Sequence, residues 1–547
     1  MVDWNALSRR SLLGVSGATV AVAGAAFALR GSGGVRTRRS DPKTFYRGNR
    51  AEPDSLDPHL ATSQYEYEIV GDMFVGLMTE NAAGDPVPGA ALRYEASPDG
   101  LVYTFHLRPH NWSDGTPVTA RDFVYSLRRV LSPKTAAMSA GVLYPIRNAR
   151  AVSGGKLPPE ALGVRAIDDR TLEIAFQAEI PYIAQLMTHN VAFPVPQHAI
   201  EKYGDAWSRP ENAISNGAYV VKEWLPNDHI LLVKNERFFD ASNVAIERVY
   251  FYPTEDYSAA LKRFRAGELD INIGVPSQEI AWVKTALPAA LHIAPYLESQ
   301  YVIFNVLQKP FSDVRVREAL SLAIDREVIA TKVMRAGERP AYALVPPQMP
   351  GYPGTAALRF RSVAMNARIE KARELLSAAG YGPDNPLTFD YNIKNETDPR
   401  LVAVALQAMW SEIGAHMRIV PSDTNIHYNL LMKQSFAVAE AGWVADYRDA
   451  KNFLMWSPSF TRVMNFGSYY NPRFDALMGQ ADHTVDPVQR GKLMCDAEQV
   501  MLDDVAIAPV YFAVSRTLVS PEVKGWVDNQ INVNRTRFLS LDRSRVA

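Results

Sequence analysis

The sequence holds one cysteine, Cys495, in 547 residues. An oxidising compartment therefore finds no intramolecular disulfide to form, and a cysteine-rich structural zinc site is excluded. Cys495 falls in the apolar-periodic stretch 491–502 and reads as a small buried residue. Stability must come from core size, which a chain this long supplies in about two to four domains. Charge of neither sign is in excess: 58 Lys and Arg stand against 59 Asp and Glu. Nothing draws the whole chain to nucleic acid or to an anionic membrane.

Catalytic signatures are missing too. There is no G-x-S-x-G elbow, no H-E-x-x-H, no P-loop and no G-x-G-x-x-G opening a helix after a strand. The ten histidines show no metal-ligand spacing, and each reads as a surface or satisfied core residue. Asp168-Asp169 and Asp503-Asp504 are neighbours in sequence. Neighbours on a helix or strand face different directions, so neither pair forms an acid–base dyad. The expectation is a chain that is not an enzyme and needs no cofactor and no metal.

What is present at the start is Ser8-Arg9-Arg10-Ser11-Leu12-Leu13, followed by a Gly- and Ala-rich apolar stretch over 14–29. A paired arginine before a weakly apolar run marks the twin-arginine export route. The stretch is too short and too poor in Leu and Ile for a membrane anchor, so it reads as a removed signal. Ala26-Phe27-Ala28 fits a small-residue cleavage site after Ala28. No cysteine lies near it, so no lipid anchor is expected. These features predict a soluble periplasmic protein that uses the twin-arginine machinery.

The apolar rhythm then alternates between two periods. Strands are expected at 101–107, 171–176, 217–224, 230–234, 248–252, 269–273, 301–306, 387–393, 417–420 and 505–512. Helices are expected at 119–131, 258–266, 313–324, 326–335, 369–379, 400–413 and 488–503. Thr119 and Asp122 form a capping box at the first of these, and Asp313 caps the third. The order is mixed α/β with a partly parallel sheet. A late strand that reads like the early ones implies that the chain returns to its first domain. Aromatics off the periodic pattern, Trp443, Tyr447, Trp456, Tyr469 and Tyr470, fit a ligand cleft or ordinary inter-domain packing.

Several segments together resemble one family. They are Tyr103-Thr-Phe-His-Leu-Arg108, Trp112-Ser-Asp-Gly-Thr-Pro-Val118, Ala120-Arg-Asp-Phe-Val-Tyr125 and Asn216-Gly-Ala-Tyr219. Phe311-Ser-Asp-Val-Arg-Val-Arg317, Ala323-Ile-Asp-Arg326, Pro340-Ala-Tyr342 and Gly442-Trp-Val-Ala-Asp-Tyr447 complete the set. The chain resembles the oligopeptide-type periplasmic solute-binding proteins of ABC importers (extracellular solute-binding protein family 5) from about 44 to 539. The resemblance implies a bilobal type II periplasmic-binding-protein fold, with a third domain inserted in the first lobe. On that pattern residues 1–28 are signal, and 29–84, 209–274 and 508–547 build lobe I. Residues 85–208 form the inserted domain and 275–507 lobe II. The partners implied are a peptide or small-molecule ligand and an inner-membrane permease–ATPase complex. A monomer is expected, with no nucleic acid. The Trp112–Thr116 turn and the helix start at Asp313 to Arg317 read as structural, the latter with solvated or paired arginines.

By the same resemblance, Asp446 accepts a peptide's α-ammonium, and the backbone of Gly442 and Val444 pairs with the peptide as an added strand. Trp443, Tyr447, Glu440, Tyr301, Ile69 and Gly274 complete the expected ligand-binding set. The family's well-known receptors place charged side chains to hold the peptide's carboxylate or balance the pocket. Here the matching positions are Ile303, Met334, Pro399 and Leu431, all apolar, and Glu440, which reverses the sign of an arginine. The amine end is retained and the carboxylate end rebuilt. Three ligands fit: a peptide whose C-terminus lies elsewhere, a ligand with two cationic groups for Asp446 and Glu440, or a non-peptide such as a sugar, an opine or a metal complex.

Overall fold

The computed structural model describes residues 41–455 and 465–545. The twin-arginine segment, its cleavage site and Trp456 lie outside them. The backbone of the molecule is an eleven-stranded sheet. Its first members in chain order are β1 (Thr44–Gly48), the hairpin β6 (Tyr219–Leu225) and β7 (His229–Lys234), β8 (Arg248–Tyr252) and β9 (Ile271–Ile273). The second half adds β10 (Leu291–Phe304), β11 (Leu387–Lys394), β12 (Ala415–Ser422), β13 (Val438–Val444) and β14 (Ile507–Val519). The order across the sheet is β12-β11-β13-β10-β14-β9-β1-β8-β7-β6, with the two-residue strand Arg339–Pro340 paired to β14. The missing numbers belong to a separate four-stranded antiparallel sheet, β2 (Ala91–Ala96), β3 (Val102–Leu107), β4 (Val164–Asp168) and β5 (Thr171–Ala175).

Two long strands tie the halves together. β10 and β14 run 14 and 13 residues. One end of their ladder, Leu291↔Leu518, adjoins β9, where Ile271 pairs with Val519; the other, Ile303↔Ile507, adjoins β13. Sequence periodicity placed only 301–306 and 505–512 in strands. Pro295, Pro509 and two register shifts, between Pro295 and Ser299 and between Gln300 and Tyr301, break the alternation that would extend them. The return of the chain to its start is seen in detail. Arg47 donates to the Asn534 carbonyl at 2.8 Å, and Thr536 N–H donates to Asp72 Oδ1 at 2.9 Å.

Side-chain parity along β10 and β13 decides what faces where. Opposed residues of an antiparallel pair share a face, and neighbours alternate. The register is Glu298↔Val444, Gln300↔Gly442, Val302↔Glu440. These six therefore share one face, which continues into the core built on Val302, Phe304, Phe311 and Trp410. The opposite face carries Tyr301, Ile303, Ala439 and Ala441, which lie in another core with Phe453 and Met501. A larger core joins Phe45, Phe74, Trp207 and Phe251 in the first half to Phe105 and Trp112 beside the small sheet.

Local signals behave as their chemistry requires. At α2 (Ala120–Val130), Thr119 N–H and hydroxyl both reach Asp122 Oδ2, at 2.7 and 2.9 Å. In the Trp112–Thr116 turn Gly115 takes φ +98°, and Asp114 Oδ1 accepts from the Thr116 N–H at 2.9 Å. Asp313 caps α3 (Val314–Leu322) by accepting from the Arg315 N–H. Of the arginines after it, expected to be solvated or paired, the first is as expected and the second is not. Arg315 is exposed on Asp313, but Arg317 is buried and donates to the carbonyls of Phe311, Asp504 and Val505. The expected helix at 326–335 is a short α-turn, Arg326–Val328, followed by a π-helix, Ile329–Met334.

Cys495 is buried in α4 (Pro487–Asp503). One turn earlier, Gly491 packs so closely on the Gly351 carbonyl that a Cβ would overlap its oxygen. Gly491→Ala is therefore expected to cost about 1–3 kcal/mol, despite alanine's better helix propensity. A urea-unfolding curve checks this, and an unchanged or raised midpoint would contradict it.

Candidate functional site

The site grows from a gap in the sheet. β11 pairs with β13 only through Tyr391↔Val438 and Asn392↔Ala439. Among the described residues, the edge of β13 from Glu440 to Val444 has no strand neighbour on that side. An edge of this kind offers unpaired N–H and C=O groups to an extended chain. Gly442 leaves room there: a Cβ at this position would run into the Gln300 side chain, which lies over it on the shared face.

The loop that follows β13 carries Asp446. Its amide N–H donates to Asn452 Oδ1 at 3.1 Å, and Asn452 Nδ2 returns a bond to Asp446 Oδ2 at 3.2 Å. Trp443 fixes the same asparagine, donating Nε1–H to Asn452 Oδ1 at 2.7 Å. Asp446 is thus a positioned carboxylate with one oxygen left to face outward. That oxygen, Oδ1, lies 3.5 Å from His189 Nε2. His189 Nδ1 accepts from the Val191 N–H at 3.2 Å, so a neutral ring carries its proton on Nε2, towards Asp446. Tyr67 from α1 (Gln64–Met73) packs edge-on to His189 at 5.7 Å. Burial first, and the nearby Asp446 charge second, push the Tyr67 phenol well above its ordinary pKa.

Three successive loop residues each engage a residue from the first half of the chain. Asp446 faces His189, Tyr447 stacks on Tyr182 at 5.0 Å with rings 1° from parallel, and Arg448 pairs with Asp85 at 2.9 Å. Arg490 and Lys451 lie over the Tyr182 ring at 5.4 and 5.9 Å. The loop is clamped from across the cleft.

At the other end of the open edge the charge pattern departs from the one expected. Glu440 does not stand as a bare carboxylate. Lys394 Nζ lies 3.3 Å from Glu440 Oε1, and Lys394 N–H donates to Oε2 at 3.1 Å. Burial opposes the ammonium, but Glu440 and Glu396 hold its pKa well above the ordinary value. The reversed sign at Glu440 is answered by a cation on β11, and Glu440 is not an open seat for a second ligand cation. Arg50 arrives from the first half, with its guanidinium 5.4 Å from the Tyr257 ring centre. Tyr257, Glu396 and Glu298 hold its pKa high.

The remaining sequence-derived positions separate into those near the edge and those away from it. Gly442, Val444 and Glu440 share the face of β13 that carries Gln300 on β10. Tyr301 lies on the opposite face, 1% exposed, in the Ile303 core, because parity in β10 sets it against Gln300. Ile69 is fully buried in α1 within the first-half core. Tyr447 is buried under Tyr182, and Trp443 braces Asn452, so both shape the loop. Gly274, at φ +98°, lets the Tyr257 ring approach; a Cβ there would meet the ring at 2.9 Å. Sequence reasoning missed His189, Tyr67, Tyr182, Lys394, Glu298 and Arg50. Their signal is spatial, since each lies in a different segment from Asp446.

Comparison with known proteins follows the same lines. The family described as "Bacterial extracellular solute-binding proteins, family 5 Middle" matches residues 85–465. The periplasmic oligopeptide-binding protein OppA of Salmonella typhimurium is 36% identical over 527 residues, 95% of this chain and 96% of that protein. The probable deoxycholate-binding periplasmic protein YgiS of Escherichia coli is 35% identical over 496 residues, 90% of this chain and 92% of its own. Among solved structures, Haemophilus influenzae OppA in complex with RPPGFSPFR superposes with a TM-score of 0.87 at 32% identity, covering 92% and 99% of the two chains. The murein tripeptide-binding protein MppA of Escherichia coli gives a TM-score of 0.88 at 33% identity, covering 92% and 99%. The unliganded open form of MppA, at the same identity and coverage, gives only 0.70.

Proposed function

The chain belongs to the family 5 bacterial extracellular solute-binding proteins, with their bilobal fold, and from that premise we propose that it is the periplasmic peptide receptor of an ABC importer. The observation that carries this reading is the open β13 edge ending at Asp446. A peptide adds there as a strand through the backbone of Gly442 and Val444, and its α-ammonium takes the outward oxygen of Asp446. His189 and Tyr67 close the pocket behind that ammonium. Main-chain pairing carries affinity, and side chains fall into the surrounding space, so one receptor serves many sequences.

Closure supplies the signal to the membrane partner. We place lobe I in 29–84, 209–274 and 508–547, lobe II in 275–507 and the inserted domain in 85–208. On this division β10 of lobe II pairs along its length with β14 of lobe I, and the register shifts of that ladder are where we expect the lobes to bend. A ligand that touches both Asp446 and the His189 side favours the closed arrangement by its differential contacts. The permease–ATPase complex reads that shape and receives the peptide. Export by the twin-arginine route, as a soluble monomer, completes the proposal.

Native mass spectrometry of the mature protein, followed by release and sequencing of what it carries, tests this. A ladder of noncovalently bound short peptides is the expected result. A single non-peptide mass, of the kind the name of YgiS would lead one to seek, would overturn the ligand class while leaving the transport role.

A further inference from the structure

Beside the open edge, buried and half-buried carboxylates outnumber the cations that answer them. On the face shared by β10 and β13, Glu298 stands opposite Val444, with Glu440 farther along β13. Glu396 follows β11, and Asp398 lies at the start of the helix Thr397–Ser411. Against these four carboxylates stand three cations. Lys394 is taken by Glu440 at 3.3 Å. Arg516 is taken by Asp398 at 2.5 Å, with Glu338 a further 4.0 Å neighbour. Arg50, 5.4 Å from the Tyr257 ring centre, feels the charges of both Glu396 and Glu298 without a direct ion pair to either among the described residues. Glu338 adds a fifth carboxylate, which accepts the N–H groups of Ala336 and Gly337. His427 contributes no extra cation: its Nε2 bonds the Glu440 carbonyl, and burial drives its pKa down.

The two carboxylates whose charges reach Arg50 are not equally served. Despite burial, Lys394 and Arg50 hold Glu396 below its ordinary pKa, and Thr424 donates to it at 2.9 Å. Glu298 receives the Gln300 side-chain amide at 2.5 Å, and burial keeps its pKa raised in spite of Lys394 and Arg50. A half-buried carboxylate whose one direct side-chain partner is a neutral amide gains from one more cation. Glu298 is also close to the ligand's path. It pairs across from Val444, two residues before Asp446, so it lies about 7 Å along the strand direction from the ammonium seat and, with β13 between, about two strand spacings or 10 Å across from an added peptide strand. One or two peptide residues cover the first distance, and the second is bridged over the Gly442 face by a long side chain meeting the glutamate.

We infer that this receptor selects peptides with a lysine or arginine at the second or third position, whose side-chain cation is received by Glu298 between Gln300 and Arg50. The inference rests on the peptide-receptor reading above. It also accounts for the rebuilt far end: a ligand carboxylate placed among Glu298, Glu396 and Glu440 would meet like charge.

Isothermal titration of the ligand-stripped mature protein with tetrapeptides separates the cases. The probes are Ala-Ala-Ala-Ala, Ala-Lys-Ala-Ala, Ala-Ala-Lys-Ala, Ala-Glu-Ala-Ala and Ala-Ala-Glu-Ala. A lysine at one of the two positions is expected to bind tenfold to a hundredfold more tightly than alanine, the range of a hydrogen bond to a charged group, and glutamate more weakly. In Glu298→Gln the lysine-to-alanine ratio falls to within about twofold. Equal binding of lysine and alanine peptides to the wild type would overturn the inference and leave the peptide-receptor reading standing; this arm needs no variant to fold. A lysine preference that survives in Glu298→Gln would overturn the role of Glu298. Binding of none of the five would overturn both readings together.

Discussion

Asp446→Asn is expected to weaken peptide binding about thirty-fold to several thousand-fold. The variant keeps the size and the Asn452 contacts of the side chain but removes the charge that a buried ammonium needs. Removing one partner of a buried, hydrogen-bonded charge pair costs about 2–5 kcal/mol, much of it from stranding the other charge. The surroundings make this loss hard to recover. Tyr67 is held neutral, and His189 presents an N–H donor to Asp446, so neither offers the ammonium a replacement anion. A cycle with N-acetylated peptide isolates the effect. Acetylation should cost the wild type nearly as much as the mutation does, and should cost the variant little more. Equal penalties for acetylation in both proteins would place the ammonium elsewhere and remove Asp446 from the site.

That experiment turns on a residue legible from the chain alone, and its surroundings explain why others were not. Gly442 to Tyr447 is a contiguous motif, so resemblance carries it whole. The capping box at Thr119 and Asp122 and the Trp112–Thr116 turn are likewise local, since the bonds that define them join residues within four positions. Glu440 was readable only as a sign reversal. Its meaning changes once Lys394, 46 positions away, is seen beside it. The burial of Tyr301 on the face opposite Gln300 was hidden for a related reason. Strand periodicity fixes that Gln300 and Tyr301 face opposite ways, but which of them meets the ligand depends on the register Gln300↔Gly442. The long strands β10 and β14 were underestimated because a proline ordinarily ends a strand pattern, whereas here Pro295 and Pro509 sit beside register shifts that absorb them. Local chemistry was visible in the sequence; pairings between distant segments required the fold.

Arg326, the last residue of the Ala323-Ile-Asp-Arg motif, shows that the family's signature also marks structure that never meets a ligand. Its side chain is fully buried, and burial brings its pKa down to about 9, so it remains a cation at neutral pH. It is held by carbonyl dipoles. Nε donates to the Ala341 and Pro509 carbonyls at 3.0 and 2.7 Å, Nη1 to those of Ser321 and Ile324 at 3.0 and 3.2 Å, and Nη2 to Ser321 Oγ at 3.1 Å. The Tyr342 and Phe360 rings lie 5.1 and 5.4 Å away. One guanidinium thus joins the end of α3, the segment after Arg339–Pro340 and β14. Arg326→Met fills much of the volume and relieves the buried charge, but leaves the carbonyls without their donor. Buried groups so deprived cost about 1–3 kcal/mol each, and the relieved desolvation offsets part of that. The expected net loss is about 3 kcal/mol in urea unfolding. Arg326→Lys is expected to rescue little, because one ammonium cannot span the fork and is itself readily neutralised when buried. A lysine variant within 1 kcal/mol of wild type would show that charge alone, and not the planar set of donors, holds the three segments together.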